Sequence, residues 1–171
     1  MITNVKIPED IEKIDRDDAM VTFLDTTPSG ASKTWALLGV GITAYAISYN
    51  PQVETEKWII EKNARTDHES NQKQSEVAQR MHKGDPCYEF AKNGRDKLNY
   101  ATHILDIDGA YGNAGTYPAK MSDGLLAITS YGGENAEIGY TLYYNGDPVE
   151  GTVTVDKDGV PTFTATQTPG L

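Results

Sequence analysis

The sequence predicts a mainly β fold, an antiparallel β-sandwich or partly closed barrel with one flanking α-helix, an extended N-terminal arm and a long loop. Three observations predict it. Sixteen glycines and eight prolines punctuate the chain; apolar residues in the C-terminal half alternate at the strand period of two, and only one stretch carries helical periodicity. Seven of the ten tyrosines lie after residue 99, as expected for pleated, half-buried surfaces. A chain of 171 residues supports one core, since domains of this size bury roughly two-thirds of the surface the unfolded chain exposes. The expected division is an arm over 1–33 and a single β domain over 34–171.

Residues 1–33 mix charge with isolated apolar residues such as Ile7, Ile11 and Ile14 and end in TTPSGAS, a composition that suits an extended arm. WALLGVGITAYAISYN, from Trp35 to Asn50, reads as a long strand bulged at Gly39 and Gly41, or as two strands. Asn50-Pro51 marks a turn, and Val53–Lys62 is the next strand candidate, with neither face cleanly apolar. Residues 63–84 are almost devoid of apolar side chains and read as a polar loop too long for an ordinary connection, peripheral to the core.

Asp85-Pro86 begins a helix expected over about 86–98, because the Asp carboxylate can accept first-turn amides and proline loses nothing at the first helical position. Cys87, Phe90, Ala91, Gly94 and Leu98 form its apolar stripe. Five strand-like segments follow: 102–107, 118–131 with a break near Ser122-Asp123-Gly124, 138–145, 149–156 and 161–166. Asn145-Gly146-Asp147 and Asp156-Lys157-Asp158-Gly159 are read as hairpin turns.

Few residues are spaced for catalysis or metal binding. His68, His82 and His103 are widely spaced and none stands beside a Cys at zinc-ligand spacing. The lone Cys87 has no disulfide partner within the chain and reads as a small packed thiol. Asp106 and Asp108 share a strand face, which suits a hard cation or an acid/base pair, but the rest of a calcium loop is missing and an ordinary strand end fits better. Ser29–Thr34 lacks the phosphate-loop pattern, and Ser130-Tyr131-Gly132-Gly133 is not a nucleophile elbow. No catalytic set and no cofactor are expected. No apolar run reaches the ~20 residues of a membrane span, and no basic and apolar leader is visible.

The order of features resembles the major tail-tube proteins of siphophages, a group of long-tailed bacteriophages. Trp35 opens the strand region WALLGVGITAYAISYNPQVETEKWI, a polar loop follows, GDPCYEF starts a helix, and DIDGAYGNAGTYPAKMSDGLLAITSYGGENAEIGYTLYYNGDPVEGTVTV continues the likeness. The resemblance covers about Trp35 to Val155. It implies a non-enzymatic structural subunit of a virion tail, made and assembled in the host cytoplasm. Six copies would form a ring, and rings would stack into a tube through which double-stranded DNA passes without specific binding. Implied partners are other copies of the chain and further tail proteins such as the tape measure, the tail terminator and the distal tail protein. The arm and the loop occupy the positions that reach the next ring, with His68, Glu69, Asn71, Lys73, Gln74 and Arg80 as inter-ring candidates.

Charge agrees with this expectation. The chain carries a net charge of −10, so wrapping nucleic acid by phosphate neutralisation is disfavoured, whereas an acidic lumen would let DNA slide. Glu54, Glu56, Asp123 and Glu150, acidic residues on or beside expected strands, are the lumen candidates. Two other readings remain open at this stage: a virion decoration or carbohydrate-binding β-sandwich, and a small hydrolase using Asp106, Asp108 or Glu134.

Overall fold

The computed structural model describes residues 20–166. In chain order the elements are β1 (Met20–Asp25), β2 (Trp35–Leu38), β3 (Pro51–Glu56), β4 (Arg65–Asn71), β5 (Gln74–Gln79), α1 (Pro86–Asn93) and β6 (Tyr100–Asp108). A 3-10 turn at Gly109–Tyr111 follows, then β7 (Thr116–Gly132), β8 (Glu137–Val155) and β9 (Pro161–Ala165). Seven strands form one antiparallel sheet in the order β2-β1-β6-β7-β8-β5, with β9 added to β8, while β3 and β4 pair only with each other. The fold is therefore mainly β with one helix, as expected, and its sheet is nearly closed into a barrel.

Closure comes from the chain that follows β2. Arg80 N–H donates to Gly41 C=O at 3.0 Å, and Ser48 and Gln74 exchange backbone bonds of 2.8 and 3.0 Å, so segment 41–48 bridges β5 back towards β2. Its Ile42, Tyr45 and Ile47 pack inward. The expected long strand over Trp35–Asn50 is thus four residues of β2 followed by an irregular stave.

Two cores lie on opposite faces of the sheet, because neighbouring strand residues point opposite ways. Leu24, Ile104, Leu126, Ile138, Tyr140 and Leu142 pack beneath α1. Val21, Phe23, Leu105, Ile107, Tyr117 and Val153 form the other core. Strand β1, buried on both faces and hydrogen-bonded on both edges to β2 and β6, corrects the arm expected over 1–33. Its apolar run VTFL is short and embedded in acidic sequence, and nothing local reveals that it is central. Residues 1–19 of that expected arm lie outside the described residues.

The expected loop at 63–84 is also corrected: it holds β4 and β5. Strand β5 is concealed because its inward residues are Ser75, Val77 and Gln79, two of them polar, and burial is made tolerable by hydrogen bonds. Ser75 Oγ donates to Ala46 C=O at 2.8 Å, and Gln79 Nε2 donates to Val40 C=O at 2.9 Å and to Asp85 Oδ2 at 2.7 Å. Strand β8 joins two segments that the sequence separates by a turn. Asn145 pairs with Asp123 and Val149 with Met121, so residues 146–148 bulge opposite Ser122, and Gly146 supplies the positive φ of 66° that the kink needs. The turn at Asp156–Gly159 forms as expected, with Asp156 Oδ1 accepting from the N–H of Asp158 and Val160.

Helix α1 begins as the sequence predicts: Asp85 caps it by accepting from Tyr88 N–H at 2.8 Å, and Cys87, Phe90 and Ala91 are buried. It stops at Gly94, where a Cβ would collide with the ring of Tyr100. Leu98 therefore lies beyond the helix and is 93% exposed, which corrects its assignment to the packing stripe.

Asp85 serves both the helix start and a buried amide, so Asp85→Ala should destabilise the fold by about 1–3 kcal/mol. Leu98→Ala should change stability by less than about 0.5 kcal/mol. Urea unfolding of both variants beside the wild type checks the contrast.

Candidate assembly surfaces and buried polar clusters

The projecting feature of the molecule is the β3–β4 hairpin. Asn50 C=O accepts from Gln72 N–H at 3.4 Å and Pro51 pairs with Asn71, so the hairpin prolongs the ladder that begins at Ser48 and Gln74. All residues of both strands are exposed. Polar contacts order it: Thr55 Oγ1 meets Thr66 Oγ1 across the strands at 3.1 Å, and within β4 His68 Nε2 meets Asn71 Oδ1 at 2.8 Å. Strand β3 ends at Glu56, short of the expected Lys62, because the chain turns through Trp58-Ile59-Ile60. At that tip Arg65 pairs with Glu61 and its guanidinium lies 4.8 Å from the centroid of the Trp58 ring. Trp58 is 53%, Ile60 89% and Ile59 103% exposed. Unlike a single exposed Leu, a contiguous exposed apolar patch marks an interaction surface.

The residues expected in an inter-ring loop divide between this hairpin and the barrel. His68, Glu69 and Asn71 stand on β4. Lys73, Gln74 and Arg80 belong to the barrel: Lys73 Nζ lies 5.2 and 5.7 Å from the ring centroids of Tyr49 and Tyr144, and the backbones of Gln74 and Arg80 close the sheet.

The four acidic lumen candidates do not share a surface. Glu54 and Glu56 are on β3. Glu150, on β8, accepts an ion pair from Lys120 Nζ at 3.0 Å. On β7, Lys120 neighbours Met121 of one core, while Asp123 neighbours Gly124, whose Cβ would meet Ile104 of the other core. Strand alternation therefore places Asp123 and the Lys120–Glu150 pair on opposite faces of the sheet.

Two buried polar clusters escaped the sequence. Asp25, fully buried, accepts at Oδ1 from the N–H of Thr27 and Thr34, both at 3.0 Å, which ties down the β1–β2 turn. Its Oδ2 lies 2.8 Å from His103 Nδ1, and His103 Nε2 lies 3.7 Å from Asp123 Oδ1. No spacing signal links residues 78 apart in the chain.

The second cluster gathers Asp106, Thr22, Tyr144 and Tyr45. Thr22 Oγ1 donates to Asp106 Oδ1 at 2.7 Å, Tyr144 Oη donates to the same oxygen at 3.4 Å, and the two tyrosine hydroxyls are 2.8 Å apart. Burial raises the Asp106 pKa, opposed by the hydrogen bonds from Thr22 and Tyr144 and by the Lys73 charge. Burial chiefly pushes Tyr45 up to about 12. Asp106 is engaged inside the sheet while Asp108 is exposed at its end, and Glu134 lies in the β7–β8 turn, at the far end of β7 from Lys120, the partner of Asp106. The three carboxylates considered for hydrolysis are not brought together. Among the described residues no group of three or more His, Cys, Asp or Glu side chains is arranged to hold a metal ion, and no helix is long and apolar enough to cross a membrane.

A carboxyl whose folded pKa lies above its unfolded value of about 3.9 holds its proton longer in the native state, so its contribution to stability is present at low pH and lost as pH rises through the folded value. Asp85 shares this direction, with burial as the leading cause. Asp106→Asn keeps an acceptor for Thr22 and Tyr144 and removes one titration. Urea midpoints measured from pH 4 to 7 should fall less steeply in this variant than in the wild type.

No protein-family model matches the sequence, and no curated protein matches it.

Proposed function

We propose that this chain is a self-assembling structural subunit of a bacteriophage tail tube, forming stacked rings, with six copies per ring, whose lumen conducts DNA during ejection. The observation that carries the reading is the hairpin. A two-stranded ribbon with no buried strand residue has little stability of its own in water, and this one holds three large apolar side chains at its tip. Such an element gains its contacts from another molecule. The barrel that carries it is nearly closed by backbone bonds and buried polar groups, a suitable body for repeated stacking. The order of sequence features from Trp35 to Val155 then selects the tail tube among β assemblies.

The net charge of −10 supports a conduit better than a DNA-binding surface. Six copies would bring about −60 per ring before counterions, and screening confines that field to about 8 Å at physiological salt. The wall would repel DNA at close range. Tape-measure, terminator and distal tail proteins are the further partners under this reading, and the virion tail is the site of action.

Concentrated protein should form rings or tubes visible by negative-stain electron microscopy, and a strictly monomeric protein would defeat the proposal. Replacing Pro51–Asn71 by an Asn-Gly turn should leave a folded barrel with a melting temperature within about 4 °C of the wild type, since little apolar area is lost. The same replacement should abolish tubes. Deleting 66–82 should instead unfold the protein, because it removes β5.

A further inference from the structure

A groove opens along the seam of the barrel where segment 41–48 bows away from β5. Its volume is about 580 Å³, and Thr43, Ala44, Glu76, Ala78, Glu137 and Gly139 are among the residues that line it. A neighbouring groove of about 510 Å³ shares Ala44 and Glu76, so the depression continues towards the hairpin base. Gln74 and Arg80 turn their backbone groups to the seam, and Lys73 C=O accepts from Tyr144 N–H of β8. Antiparallel alternation therefore directs the N–H and C=O of Glu76 and Ala78 to the seam as well, where no described backbone group meets them.

The hairpin tip complements this groove. Its apolar residues are flanked by Lys57 and Lys62, cations with no ion-pair partner among the described residues, since Arg65 already neutralises Glu61. Glu76 and Glu137 are likewise carboxylates without an ion-pair partner among the described residues. The hairpin as a whole is acidic, but its tip over 57–65 carries Lys57, Lys62 and Arg65 against Glu61 alone, and the groove on the same chain presents Glu76 and Glu137. Strands β3 and β4 span about 20 Å at ~3.3 Å per residue, so the tip stands well away from its own seam.

We propose that the tip Trp58-Ile59-Ile60 of one copy seats in the seam groove of a second copy, with Lys57 and Lys62 facing Glu76 and Glu137. The contact is heterologous, one surface against a different one, and therefore propagates head to tail. It rests on the assembly reading in one respect, that copies associate. An acidic chain is a poor partner for an anionic membrane, which is why a second copy is preferred to a lipid surface.

Cysteine pairing tests it, because Cys87, the single native cysteine, is buried. Mixing an Ile59→Cys chain with an Ala78→Cys chain under mild oxidation should give a disulfide-linked heterodimer. Trp58→Ala should weaken self-association about 10- to 100-fold in sedimentation velocity. Lys62→Glu and Glu76→Lys should each weaken it, and the double reversal should restore it. If the wild type assembles but Ile59→Cys links only to itself, or Trp58 instead drives flotation with phosphatidylglycerol vesicles, the tip-to-seam contact is overturned while the assembly reading survives. A wild type that stays monomeric at every concentration overturns both.

Discussion

Gln79 is fully buried where β5, α1, β8 and the chain after β2 converge, and its side-chain amide is bonded at both ends. Its nitrogen donates to Val40 C=O and Asp85 Oδ2, and its oxygen accepts from Tyr140 Oη at 3.0 Å. A buried amide left unpaired would be costly, and a fully paired one fixes the relative positions of everything it touches. Asp85 passes the constraint on by capping α1, and the helix covers one of the two cores. Without this junction β5 would add only one buried apolar side chain, Val77, to its backbone ladder with β8.

That arrangement explains how a strongly polar segment is part of the body rather than an appendage. From Gln74 the chain returns to the barrel, whereas the strands between Pro51 and Asn71 are exposed to solvent. The hairpin is thus an ordered projection on the barrel, and the contacts of Arg65 with Glu61 and Trp58 hold the tip in shape without burying it. Ribbons with few buried contacts open at lower free energy than the core they stand on, which lets such an element adjust to a partner surface while the barrel stays intact.

Charge has a narrower role than composition suggests. The acidic excess belongs to the molecule as a whole, but individual carboxylates have local employment: Asp25 organises a turn beside His103, Asp85 caps a helix, Asp106 sits in a hydroxyl cluster, and Glu150 pairs with Lys120. What is left over is spread across two faces of the sheet and the hairpin. Under the proposed assembly, the arrangement of copies decides which of these carboxylates form a repulsive wall.

The sequence by itself determined the β class, the late strands, the Asp156–Gly159 turn and the start of the helix, because alternation, turn chemistry and the Asp85-Pro86 cap are local signals. It also identified Cys87, Phe90 and Ala91 as packed residues, since these follow from helical periodicity. Only the tertiary structure decided that Met20–Asp25 is a central strand, that β5 lies in the sheet, that residues 146–148 form a bulge, and that Leu98 is exposed. In each case the deciding partner belongs to another element: β6 for β1, Val40 and the helix cap Asp85 for Gln79, Ser122 for the bulge, Tyr100 of β6 for the stop at Gly94. The proposed assembly surface follows the same rule: Trp58, Ile59 and Ile60 fall within the strand expected over Val53–Lys62, and only the structure shows them exposed at a hairpin tip.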